Sequence, residues 1–124
     1  MEPTEKFSLN KRIRSFKYAF NGLWEVVLRE HNFRIHLLAA GVAVYAGFYF
    51  NISGDEWIAI ILVIAMVWSF EIVNAAIEKL CDVVLSREDK RIKLIKDMAA
   101  AAVLLAAIAS LVVAAIIFIP KVRL

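Results

Sequence analysis

Apolar residues fall into four blocks separated by short charged or polar breaks. The first, residues 9–30, is two-sided. Leu9, Ile13, Phe16, Phe20, Trp24 and Val27 recur at spacings of three and four, which puts them on one helical face. Lys11, Arg12, Arg14 and Lys17 cover much of the remainder, a composition suited to the membrane–water interface. The other blocks are apolar on all sides. One runs over about 33–51; residues 37–50 carry no charge, and Arg34 and His36 stand at its start, where they can snorkel. After the polar turn Asn51–Glu56, the next begins at Trp57, is apolar through Phe70 and continues helically to about Leu85. The last, about 96–119, is uncharged from Met98 to Ile119 and is expected to stop at Pro120. A hydrocarbon core of roughly 30 Å needs about 20 apolar residues, and backbone in lipid must satisfy its own hydrogen bonds. The pattern predicts an all-α integral membrane protein: one interfacial helix and three transmembrane helices, in a single domain over residues 1–124.

Composition supports this class. Hydrophobic residues make up 62% of the 124 positions, well above the roughly 45–50% of soluble domains, and so short a chain cannot hide that surface in one core. The charged 22% is segregated. Of the 15 Lys and Arg, seven precede the first span, six lie between Lys79 and Lys96, and two, Lys121 and Arg123, follow the last span. Basic loops stay in the cytoplasm, so the N-terminus and second loop are expected there and the C-terminus outside. Residues Met1–Lys17 hold no apolar stretch with a cleavage site, so the spans are expected to persist in the mature chain. The one cysteine, Cys81, cannot form an internal disulfide. Several enzyme classes drop out. Four glycines make no phosphate-binding loop, His31 and His36 are badly spaced for a helical zinc pair, and Ser110 reads as a helix-packing residue. No nucleic-acid partner is expected.

Chemistry concentrates in the second span, in the pattern Glu71-x-x-Asn74-x-x-x-Glu78-x-x-x-Asp82. At about 100° per residue, Glu71, Glu78 and Asp82 lie within roughly 40° of one another and Asn74 about 60° to one side. This acidic stripe runs about 16 Å towards the cytoplasmic surface. An embedded charge costs roughly 2.5–3.5 kcal/mol and usually faces a protein interior with a task. Glu30 stands at the cytoplasmic start of the first span, Lys96 and Asp97 at that of the third, and Arg87, Lys90, Arg91 and Lys93 crowd the loop between. Carboxylates beside a cationic loop suit a site for Mg²⁺ and polyphosphate. The plainer readings are helix-packing ion pairs for the stripe and topology marking for the loop.

These segments resemble the bacterial membrane diacylglycerol kinase and undecaprenol kinase family, over nearly the whole chain. The residues that carry the resemblance are Ser15-Phe-Lys-Tyr-Ala-Phe-Asn-Gly22, Glu30-His-Asn-Phe-Arg-Ile-His36, Glu71-Ile-Val-Asn-Ala-Ala-Ile-Glu78 with Asp82, and Lys96-Asp97-Met-Ala-Ala. Asn-Phe-Arg-Ile-His and the Ile-Phe-Ile-Pro-Lys ending look closer to the undecaprenol kinase branch. The resemblance implies a homotrimer in the bacterial cytoplasmic membrane that transfers the γ-phosphate of ATP to the hydroxyl of undecaprenol or diacylglycerol. It implies Glu71 as general base and substrate contact, with Asn32 and Arg34 also on the lipid side. Glu30 and Glu78 would hold Mg²⁺ on the ATP phosphates. Asn74, Asp82, Lys96 and Asp97 would complete the nucleotide site, with Tyr18 and either Lys11 or Arg12 over the phosphates. Lys cannot reproduce a bidentate guanidinium contact, so the choice between those two stays open. The rival class is a small oligomeric proton-coupled transporter using Glu71, or a non-catalytic assembly subunit; a transporter's site belongs near the midplane, which the stripe does not occupy.

Overall fold

The structure is a computed structural model that describes residues 4 and 6–123; the start of the charged leader lies outside the described residues. The described residues form four helices and no strand: α1 (Leu9–Arg29), α2 (His31–Tyr49), α3 (Gly54–Val84) and α4 (Lys90–Val122). Ser8 caps α1, its hydroxyl accepting from the Lys11 amide. Within one protomer α1 buries only Val26, and the apolar face Leu9, Ile13, Phe16, Phe20 and Trp24 stays exposed. That exposed face is the apolar one that the three- and four-residue spacing picks out.

A short turn joins α2 to α3. Asn51 adopts a left-handed φ of 52°, a conformation that Asn tolerates better than most side chains. The Ile52 amide donates back to the Gly47 carbonyl at 3.1 Å, closing the end of α2, and Ile52 is buried beneath the turn. Gly47 is required there, because a Cβ would lie 2.6 Å from the Trp57 ring. The next helix starts three residues before the expected Trp57. Ser53 and Glu56 form a reciprocal capping box that extends the helix to Gly54.

α3 packs along most of α4 and more narrowly against α2. Their common outer end is apolar, with Ile52, Ile60 and Ile117 buried among Ala43, Phe50, Trp57, Val113 and Phe118. Two ion pairs set the antiparallel register of α3 on α4. Lys121 Nζ meets Glu56 Oε2 at 2.7 Å, and Lys96 Nζ meets Asp82 Oδ1 at 2.9 Å. Pro120 does not end α4, which runs on to Val122. Its missing N–H removes one bond in the final turn only, while Lys121 Nζ donates to the Ile117 carbonyl and the Arg123 amide to that of Ile119.

Of the described helices, α3 and α4 are long and apolar enough to cross a membrane. α2 has 19 residues, but His31, Asn32, Arg34 and His36 occupy its first two turns, so its uncharged length is shorter. The exposed area of the protomer is 9967 Å². A compact soluble protein of this mass exposes only about 6,700 Å², so these helices need lipid or other chains around them.

Candidate active site

Glu71 is the one buried charged residue among the described residues. It faces α2, and His36 Nε2 stands 3.2 Å from its Oε1, with side chains 24% (His36) and 7% (Glu71) exposed. The two helices bring these side chains to equal depth. Glu71 is 14 residues from Trp57 and His36 is 14 from Phe50, so each lies about 21 Å from the outer turn. Trp68, one turn before Glu71 on α3, reaches the His36 carbonyl with Nε1 at 3.5 Å. Its ring also packs on the fully buried Phe33, with centroids 5.9 Å apart.

The remaining stripe residues follow towards the helix end. Glu30, in the extended junction between α1 and α2, and Glu78 are both close enough to act electrostatically on Glu71. Each is half-buried, and neither is held by an ion pair among the described residues. Asn74 Oδ1 is buried with no hydrogen-bond partner among the described residues. An orphaned acceptor costs about 1–3 kcal/mol, and this one belongs to a residue that lies between Glu71 and Glu78 along α3. Those oxygens are the hard donors that Mg²⁺ prefers, one or two at a time alongside phosphate oxygens. The described residues hold no preassembled group of three or more His, Cys, Asp or Glu side chains placed to hold a metal ion.

Beyond Asp82 the inner ends of α3 and α4 enclose an open basin of about 640 Å³, lined by Asp82, Arg87, Glu88, Asp89, Lys90, Lys93 and Lys96 among others. That volume is within the roughly 300–1,000 Å³ of ligand sites. Several of its charges are already matched. Lys96 pairs with Asp82, and Lys93 Nζ meets Asp97 Oδ2 at 2.7 Å. Arg91 grips Asp89 through its side chain, and its backbone amide adds a bond of 2.8 Å. These bonds hold the Asp89 carboxyl down to about 2. Arg87 and Lys90 carry no such pair among the described residues and are the cations most available to phosphate.

The expected residues divide by location. Glu30, Glu71, Asn74 and Glu78 come together, and Asp82 and Lys96 line the adjoining basin. Asp97 turns to an exposed ion pair with Lys93. Asn32 and Arg34 are exposed at the start of α2, where Arg34 bonds His31 Nδ1 at 2.7 Å. Lys11, Arg12 and Tyr18 stand apart from these residues. α1 approaches α3 at Glu25, which Arg29 bonds and Lys79 meets at 3.9 Å; Lys11 and Tyr18 lie about 21 and 10 Å back along the helix. Sequence patterning assigns no role at this centre to His36, Trp68 or Phe33. Their i, i+3 spacings (Phe33–His36 and Trp68–Glu71) were a usable signal, since each pair shares a helical face.

Comparison with known proteins places this geometry. The model of the family described as prokaryotic diacylglycerol kinase matches residues 17–118. An undecaprenol kinase of Bacillus subtilis is 37% identical over 113 residues, 91% of this chain and 92% of that protein. A diacylglycerol kinase of Synechocystis is 31% identical over 107 residues, 86% of this chain and 61% of the relative. The chain therefore belongs to the prokaryotic diacylglycerol kinase family of lipid kinases.

Proposed function

We propose that the chain transfers the γ-phosphate of ATP to the hydroxyl of undecaprenol at the cytoplasmic face of a bacterial membrane, diacylglycerol being the weaker acceptor. The observation that carries this reading is the position of Glu71, a buried carboxylate at the far end of an acidic stripe whose other end, at Asp82, opens into a cation-lined basin. Similarity to an undecaprenol kinase along almost the whole of both chains supports the acceptor. The transporter reading gains no support, because the family and both relatives are kinases.

The chemistry follows from where the groups stand. A lipid hydroxyl is a weak nucleophile and needs a positioned base. Glu71 accepts its proton through the carboxylate oxygen not engaged by His36. Glu30 and Glu78 would hold Mg²⁺, with the Asn74 carbonyl oxygen beside them. The ion would neutralise charge on the phosphates, as phosphoryl transfer generally requires. Arg87 and Lys90 attract the polyphosphate, and Asp82 fixes Lys96 at the rim of the basin.

In this reading α2, α3 and α4 all span, with the N-terminus and basin cytoplasmic and the C-terminus outside. Three copies assemble. The distance of Lys11, Arg12 and Tyr18 from the stripe of their own protomer favours a site completed by the α1 of a neighbour.

The test is Mg²⁺-dependent transfer of labelled γ-phosphate by detergent-solubilised protein, with undecaprenol and diacylglycerol offered in parallel. General-base catalysis contributes about 10²–10⁴-fold, so Glu71→Gln is expected to lower turnover by that factor with little change in KM for ATP. Near-native turnover in the variant would remove Glu71 from the base role, and faster labelling of diacylglycerol would reverse the acceptor.

A further inference from the structure

We infer that His36 is a positioning residue for the base: its imidazole holds the Glu71 carboxylate in the orientation that leaves one oxygen for the lipid hydroxyl. The inference rests on the reading of Glu71 as base. A carboxylate on one helix can rotate about its side-chain torsions, and an unpositioned base loses rate steeply; a misplacement near 1 Å can cost about 100-fold. Something must therefore fix Glu71. Among the described residues only His36 contacts its carboxylate, through Nε2 to Oε1 at 3.2 Å. A carboxylate only accepts, so of the two groups the imidazole is the one that can donate, and Nε2 is placed towards Oε1 to do so. One oxygen is thereby committed and the other left to accept.

His36 is itself held on two sides. Trp68 Nε1 reaches its backbone carbonyl, and Phe33, one turn earlier on α2, is fully buried against the Trp68 ring. Trp68 and Glu71 are three residues apart on one face of α3, so a single turn of that helix grips both the carbonyl and the ring of one α2 residue. An ordinary packing histidine needs neither a buried carboxylate opposite its ring nor an aromatic brace on its backbone. The arrangement also explains how a buried Glu survives at this depth without a Lys or Arg nearby.

The experiment is a mutant cycle of His36 and Glu71, read as kcat and KM for both substrates in the detergent-solubilised kinase. His36→Ala is expected to lower kcat by about 10- to 100-fold while KM for ATP changes less than about twofold. His36→Gln, which can donate an amide N–H from a similar place, should recover most of that loss. Added to Glu71→Gln, His36→Ala should cost almost nothing further, because its effect passes through the carboxylate. Thermal midpoints in detergent report folding, and the Gln rescue separates lost donation from lost packing. If Glu71→Gln is inactive yet His36→Ala retains native kcat, or if the two losses multiply, the positioning role is wrong and the base stands. If Glu71→Gln keeps native turnover, base and positioning residue fall together.

Discussion

Glu78 separates the two tasks that carboxylates on a single stripe can serve. It lies seven residues beyond Glu71, almost two full turns, so it faces the same way about 10 Å nearer the helix end. Half-buried, without an ion pair among the described residues and, like Glu30, close enough to act electrostatically on Glu71, it has the character of a cation ligand, whereas Glu71 is fixed by His36. Glu78→Gln preserves shape and removes the charge. Turnover is expected to fall about 10- to 100-fold at low Mg²⁺, with partial recovery as Mg²⁺ is raised, measured as kcat/KM for ATP against Mg²⁺ concentration. A loss insensitive to Mg²⁺ would count against ligation. This contrast was partly legible in the sequence, since 100° per residue suffices to align Glu71, Glu78 and Asp82. What could not be read was which neighbour each one meets. The pairing of His36 with Glu71 depends on the depth match of two antiparallel helices. That of Lys96 with Asp82 depends on how far α4 extends below its apolar run.

Among the helices, α3 and α4 behave as a clasped hairpin. Glu56 and Asp82 are 26 residues apart on α3, and Lys96 and Lys121 are 25 apart on α4, so both clasps lie about 38 Å apart. That spacing exceeds a roughly 30 Å hydrocarbon core by a few ångströms at each end, the length that would set both ion pairs at polar interfaces, with the acidic stripe from Glu71 lying between them towards the Asp82 clasp. The four helices themselves were legible from periodicity, but their ends were decided by local hydrogen bonds. Ser53 with Glu56 starts α3 early, Asp89 starts α4 at Lys90, and the final turn of α4 tolerates Pro120. The S-x-x-E signature at Ser53 sits inside the polar turn Asn51–Glu56, where turn and helix-start signals overlap. Ser53→Ala is accordingly expected to destabilise by about 1 kcal/mol and lower the thermal midpoint in detergent by several degrees. KM for ATP should not move, since Ser53 is about 27 Å from Glu71 along the helix. An unchanged midpoint would show that the cap contributes nothing to the hairpin.

At the scale of the whole molecule, the open question is how many times the chain crosses the bilayer. α3 is about 46 Å long and α4 about 50 Å, so both are long enough to cross with one end projecting. α2 is about 28 Å long and begins with two polar turns. It can span only if those turns sit at the cytoplasmic interface, where Arg34 snorkels and His36 and Glu71 mark the inner boundary. The depth match makes a surface position for α2 costly: Phe33, Ala40 and Gly47, spaced along its whole length, are all buried, and Phe33, His36 and Gly47 meet α3 side chains. Packed along a candidate spanning neighbour, α2 is expected to cross with it. The prediction is a labelling pattern. In a Cys81→Ser background, Asp55→Cys should react with a membrane-impermeant maleimide in intact cells. Ser8→Cys and Ser86→Cys should react only after permeabilisation. Three crossings put Ser8 opposite Asp55; two crossings, with α2 on the outer surface, put them on the same side. Outside labelling of both Ser8→Cys and Asp55→Cys would therefore remove α2 from the bilayer. It would also leave the His36–Glu71 pair without the antiparallel geometry that brings it together.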